Sequence, residues 1–249
     1  MNPIKTKIAF QNFLRQNSDA WQFAEKASDD YLLARCGLLN NLWSSFEMAT
    51  QATEKLLKSY LLFTDLSLQG SQEAVRLAVS SESKTLGRRK ESGHNAVSSE
   101  SKTLGRRKES GHNIEACLSL AEKAGLPLST VLKNQIARIN DYYNLRYPNT
   151  NNDNSPLSLS TSELNDFDAA VFEIWDAFES IDEDYFYVHG IMSHVYSKVR
   201  SDRSSRSSSP LENSFQIMTS RNKSYDDRKV KFEEGIYRRL EEWYPISSD

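Results

Sequence analysis

Apolar positions along this chain recur at steps of three and four. From Phe46 to Phe63 the letters FEMATQATEKLLKSYLLF set Phe46, Ala49, Ala52, Leu56, Tyr60 and Phe63 along one side, with neither Gly nor Pro in the run. This spacing predicts a helix with one buried face. Gln51, Glu54, Lys55 and Lys58 fall on the other face, expected to be solvated, and Glu54 stands four before Lys58, the favourable order for an ion pair. Small Ala and Thr residues in its first half let a neighbouring helix approach closely. The rest of the chain is organised around this stretch.

Ahead of it, Ile8, Phe13, Trp21 and Phe23 predict one or two helices within Ile4–Lys26. Ser28-Asp29-Asp30 reads as a polar lead-in, with either Asp placed to cap a helix over Tyr31–Trp43 whose stripe is Leu32, Leu33, Cys36, Leu39 and Trp43. Asn40-Asn41 either loosens that helix or turns the chain; as a turn it makes an αα-hairpin with the central helix. Further on, Ile114, Cys117, Leu118 and Ala121 share one side of a helix over Ile114–Ala124, which Gly125 is placed to stop. Ser129 is a cap for Val131–Tyr143, with Val131, Ile136, Ile139 and Tyr143 inward, and Pro148 ends that helix at Arg146-Tyr147. Asn149–Thr161 is a polar loop.

The most regular seam is Leu164, Phe167, Val171, Ile174, Phe178 and Ile181, and its outer face is acidic, with Asp166, Asp168, Glu173, Asp176 and Glu179. An aromatic helix over Tyr185–Val199 follows, then a Ser/Arg linker of disordered composition at Lys198–Pro210. The last helix, Asp226–Trp243, is anchored by Ile236, Leu240 and Trp243. With few Gly and Pro and little strand-like alternation, the chain is predicted to be all-α.

One feature breaks the pattern. Ala78–Asn95, AVSSESKTLGRRKESGHN, is repeated letter for letter as Ala96–Asn113. Solenoid repeats diverge and carry apolar stacking positions. This unit has almost none, so it reads as a recent tandem duplication or an artefact. An exposed loop tolerates such an insertion because closure entropy grows only logarithmically. Its Gly and Ser content predicts a mobile loop, made locally basic by Lys84, Arg88, Arg89 and Lys90 and their copies Lys102, Arg106, Arg107 and Lys108.

Composition adds boundaries. Hydrophobic content is 38% and mean hydropathy −0.63, because long polar stretches dilute an ordinary core. A net charge of −3 gives no global reason to expect nucleic acid, so any such site is a local basic patch. The two cysteines, Cys36 and Cys117, sit in apolar helical runs and read as reduced, buried thiols. No apolar run is long enough to span a membrane, and MNPIKTKIAF lacks the apolar core of a secretory signal. The expected location is the cytoplasm, with no membrane partner and no cofactor.

Residues 30 to 181 resemble the HEPN domain, an all-helical module. The resemblance lies in the alanine-rich helix with EKLLKSYLLF, the GHN that leads into a short helix, the RYP after the next helix, and a final amphipathic helix, in that order. It implies an up-and-down helical bundle, usually dimeric, with roles in nucleotide or RNA binding or in metal-independent RNA cleavage. The expected organisation is an N-terminal helical extension at 1–29, a HEPN-like bundle at 30–182 with the duplicated loop 78–113, and a C-terminal helical extension at 183–249 with the linker 198–210.

Metal-independent RNA cleavage needs a base for the 2′-hydroxyl and a cation for the phosphate, which His and Arg supply. Catalytic HEPN proteins carry an Arg followed closely by a His near the start of a late helix. Arg107 and His112 have that bare spacing, as do Arg89 and His94, but they precede a different helix. The region where the family places the pair, Asn140–Pro148, contains Arg146 and no His. His112 reads either as helix-start punctuation or, beside Arg146, as part of a phosphate groove. Tyr147 either packs or stacks on a base. Lys55 and Lys58 either form a solvated face or line a groove between subunits. His189 and His194 are five apart, which does not align them on a helix, so the acidic turn Asp182-Glu183-Asp184 is read as a turn beside aromatic packing and no metal site is expected.

Three readings follow. The first is a dimeric helical protein that binds nucleotide or RNA through His112, Arg146, Tyr147, Lys55 and Lys58 without catalysis. The second is a toxin-like endoribonuclease using His112, Arg107 or Arg146. The third is a structural or adaptor module with a protein partner, in which the Leu164–Ile181 seam is a packing or dimer surface.

Overall fold

The computed structural model describes residues 3–42, 45–65, 67–68, 71–93, 113–145, 161–191 and 210–243. Every regular element among them is helical. The helices are α1 (Pro3–Gln16), α2 (Ser18–Leu39), α3 (Ser45–Thr64), α4 (Gln72–Gly93), α5 (Ile114–Lys123), α6 (Thr130–Leu145), α7 (Thr161–Asp176), α8 (Glu183–His189), α9 (Pro210–Thr219), α10 (Lys223–Asp226) and α11 (Lys229–Trp243). A short 3-10 turn at Ala177–Ser180 extends α7.

α3 is the axis of the bundle. It packs against α2 along its length and also against α5, α6 and α7. Ala49, Ala52 and Thr53 are small enough to admit α2, and Ser59 Oγ donates across that contact to the Ala20 carbonyl at 2.7 Å. Because neighbours cover α3 on several sides, its polar face is enclosed as well, and Glu54 and Lys58 are buried. The expected solvated face is therefore corrected: a helix with one buried face was the premise, and α3 is wrapped.

The predicted break at Ser28-Asp29-Asp30 is absent, and α2 runs straight through it. Asp29 and Asp30 both lie inside α2, so neither caps a helix start; Ser28 Oγ donates back to the Ala24 carbonyl at 3.0 Å, and Asp30 pairs with Lys55. The inward stripe also differs: Tyr31, Leu32, Ala34, Arg35 and Leu38 are buried while Leu33 is 59% exposed. α2 ends at the predicted turn, where Asn41 takes a φ of +56°, a conformation Asn tolerates. Gly37 lies so close to Ser45 at this hairpin that a Cβ would overlap the Ser45 side chain.

Residues 78–93 of the first copy are helical. α4 continues through it to Gly93, against the expectation of a loop. Local composition is outweighed by docking, since Val75 and Val79 are fully buried and α4 packs on α3 and α5. Residues 94–112, with most of the second copy, lie outside the described residues.

Two predicted helix signals operate as expected. At the end of α5, the Gly125 N–H donates to Glu122 O and the Leu126 N–H to Ala121 O, with Gly125 at φ +97°. This is the Schellman pairing, which requires a left-handed residue. Ser129 Oγ accepts from the Leu132 N–H at 3.1 Å and caps α6. The inner stripe of α6 is Leu132, Gln135, Ile136 and Ile139, with Val131 turned out.

The α7 seam is buried from Leu164 to Phe178 within the chain. The helix narrows to the 3-10 turn at Ala177, where Ser180 Oγ donates to the Ala177 carbonyl, and Asp182 then caps α8 by accepting from the Tyr185 N–H at 2.7 Å. Trp175, Phe178, Tyr185, Phe186 and Phe232 form an aromatic core between α7, α8 and α11. The predicted helix over Asp226–Trp243 forms as α11 from Lys229, after the short α10 ends at Asp226, and Phe232 is more deeply buried than the predicted anchor Ile236. No described helix is long and apolar enough to cross a membrane.

Candidate functional site

Three polar clusters enclose buried charged groups between helices. The first joins α2 to α7 and the C-terminal helices. Arg35 Nε and Nη2 donate to the two Asp168 oxygens at 2.6 and 2.8 Å, while Tyr31 Oη donates to Asp168 Oδ1 at 2.8 Å. Arg35 also donates to the carbonyls of Ile217, Met218 and Ser220, so its guanidinium satisfies the C-terminal end of α9. Asn222 Nδ2 closes the ring by donating to Tyr31 Oη at 2.9 Å, and Asn222 Oδ1 caps α10. Burial works against the charge on Arg35, but Tyr31 and Asp168 outweigh it and hold its pKa above the ordinary value. Burial pushes the Tyr31 phenol well above its ordinary range. With its donors and acceptors matched, the cluster ties elements together and has no free group to offer a substrate.

The second cluster lies between α3 and α5. Glu54 and Lys58 pair one turn apart, and both face Cys117. Burial, followed by the Glu54 charge, pushes the Cys117 thiol up to about 12. The site is inert as a nucleophile, because the thiolate is the reactive form.

The third cluster fixes the start of α5. Asn113 Oδ1 accepts from the Ala116 N–H at 3.0 Å, and Asn113 Nδ2 donates to Ser83 Oγ at 2.8 Å. Nearby, Glu82 accepts from Ser119 Oγ at 2.8 Å and pairs with Lys123 at 2.7 Å. α4 is thus locked to α5 at the residue directly after His112.

Of the residues singled out from the sequence, Lys58 is inside the bundle with Glu54, and Lys55 is half-buried and pairs with Asp30. The structure does not bring these two lysines into one exposed groove. His112, Arg107, Arg146 and Tyr147 lie outside the described residues, as do Arg106, Lys108, His94 and His194. His189 ends α8. The acidic turn before it is committed to structure: Asp182 is a cap, Glu183 pairs with Arg238 and Arg239, and Asp184 pairs with Arg239. Among the described residues no group of acids, histidines or cysteines is arranged to hold a metal ion.

The acidic face of α7 also has a use that the sequence reading missed. Asp168 holds Arg35, Asp176 holds Arg228, Glu179 holds Lys231, and Glu173 accepts from Ser129. Its carboxylates therefore receive Arg35 of α2, Arg228 from the turn before α11, Lys231 of α11 and the Ser129 cap of α6. The one signal for the Arg35 cluster was a charged residue inside the apolar run LLARCGLL.

Comparison with protein-family models, curated proteins and solved structures found no match.

Proposed function

We propose that the chain is a HEPN-like helical protein that forms a homodimer and binds RNA or nucleotide phosphate without cleaving it. The observation that carries this reading is the convergence of the resembling segments. The short helix α5 after GHN, the helix α6 before RYP and the amphipathic helix α7 all pack against the central helix α3. They form an all-helical bundle in the order the resemblance implies.

Within that reading, His112 and Arg146 carry recognition. His112 directly precedes Asn113, which is anchored at both the cap of α5 and Ser83. Arg146 and Tyr147 directly follow α6 in the sequence, and α6 packs on α3, α7 and α5. An Arg fork suits a phosphate, and a Tyr ring next to it in the sequence offers a stacking face. Lys58 has no part in the groove, since its ammonium is committed to Glu54 inside the bundle. Dimerisation rests on the resemblance alone, because the α7 seam that would otherwise motivate it is buried within the chain.

The test is incubation of end-labelled RNA with the protein in EDTA, beside His112→Ala and Arg146→Ala. The expected result is retarded, full-length RNA, with weaker binding in both variants. Cleavage that is lost in His112→Ala would replace this reading with the ribonuclease one. No binding by a folded protein would replace it with the adaptor one.

A further inference from the structure

The three C-terminal helices are held more by the rest of the bundle than by one another. α9 packs on α2, α10 on α7, and α11 on α8 and α1, whereas the packing around the axis α3 is made by α2, α5, α6 and α7. Two of the three are short: α9 has ten residues and α10 four. Isolated helices below roughly 12–15 residues are marginal in water, so α9 and α10 depend on what they dock against. Their anchors are linked in series. Arg35 holds the carbonyls of Ile217, Met218 and Ser220 at the end of α9, and Asn222, which caps α10, donates to Tyr31 of the same cluster. Arg228, between α10 and α11, binds Asp176, and α11 is seated by Phe232 on Phe172 and Phe186 and by Arg239 on Asp184.

We propose that residues 210–243 are a strap that undocks from α1, α2, α7 and α8 as one unit while the bundle around α3 stays folded. In the docked state the strap is part of the bundle, and it is the part that opens first. Its departure strands no buried charge. Arg35, Tyr31 and Asp168 stand on α2 and α7, and the bonds among them survive when α9 and Asn222 leave. The outer ion pairs face water even when docked: the side chains of Arg228 and Asp176 are 26% and 37% exposed, and those of Lys231 and Glu179 are 52% and 32% exposed. Pairs so exposed add little to the hold. Because α9 and α10 do not keep their helical turns unaided, the three helices leave and return together. Opening uncovers the side chains that the strap touches, Tyr31, Phe172, Phe186 and Tyr187 among them. The inference stands on the contacts of α9, α10 and α11, independently of RNA binding.

Native-state hydrogen exchange of the full chain, read by mass spectrometry on peptides from α3 and from α9, α10 and α11, tests the strap. In the parent, the amides of the three C-terminal helices are expected to exchange roughly tenfold or more faster than those of α3. Two variants separate strap opening from global unfolding. Ile136→Val trims a fully buried side chain on α6. It is expected to speed exchange in α3 by roughly two- to tenfold. Exchange in the strap is expected to stay unchanged, because the body keeps that contact when the strap opens. Strap exchange that rises together with α3 overturns the proposal, since the strap would then open only when the whole chain unfolds. Arg228→Ala is expected to speed exchange in α9, α10 and α11 by one common factor, roughly two- to fivefold. A rise confined to α10 and α11 overturns the single unit, and equal exchange of α3 and the strap in the parent overturns the opening itself.

Discussion

Arg35 sits in the interior with its guanidinium spread over Asp168 and three backbone carbonyls. Both members of the ion pair are shut off from water, so removing one leaves an uncompensated charge. Asp168→Ala is expected to lose about 3–5 kcal/mol in urea unfolding. Arg35→Met with Asp168→Leu, which removes both charges, is expected to lose distinctly less than Asp168→Ala. Equal losses would show that the charge is not what makes the single variant costly. Cys117 gives a second residue-scale prediction. Its thiol ionises near 12 in the folded chain against an ordinary 9.0, so the folded state holds a proton that the unfolded state releases first. Its contribution to stability is therefore full below pH 9 and is lost as pH rises toward 12. Cys117→Ala is expected to flatten that decline in stability measured between these pH values. A decline as steep as the parent's would contradict the assignment.

At the scale of elements, period and punctuation were legible where one helix met one boundary signal. Gly125 stopped α5 and Ser129 capped α6 because each acts through backbone groups within a few residues of itself. What was not legible depended on distant neighbours. Ser28-Asp29-Asp30 looked like a cap, but Ser28 turned its hydroxyl back along α2 and Asp30 found Lys55 on another helix. Lys58 looked solvated because periodicity cannot tell how many helices surround α3. The copy at 78–93 looked like a loop because its composition is polar, and two buried valines with a Glu82 clamp outweighed that. Gly87 tests this directly. It lies inside α4 with open space where a Cβ would stand. Gly87→Ala is expected to raise stability by about 0.5–1 kcal/mol, the penalty glycine carries inside a helix. A neutral or destabilising effect would place Gly87 outside a helix.

Across the whole molecule, the C-terminal helices are integral to the bundle. Arg35 satisfies the end of α9, the carboxylates of α7 and α8 receive Arg228, Lys231, Arg238 and Arg239, and Phe232 enters the aromatic core. These contacts consume the acidic face of α7. The proposed recognition residues His112 and Arg146 precede α5 and follow α6 in the sequence and lie outside the described residues. Their legibility from sequence was limited to motif order, since His112 and Arg146 are separated along the chain and no local pattern joins them.

The most direct measurement is a fluorescence-anisotropy titration of labelled single-stranded RNA at two salt concentrations, with the parent and an Arg146→Ala variant. Phosphate recognition releases counterions, so affinity falls as salt rises, and losing one cationic contact makes that fall shallower by about one in log–log slope. The expected result is salt-dependent binding that is weaker and less salt-sensitive in Arg146→Ala. Absence of binding at low salt, by a protein that keeps its helical fold, would contradict the account.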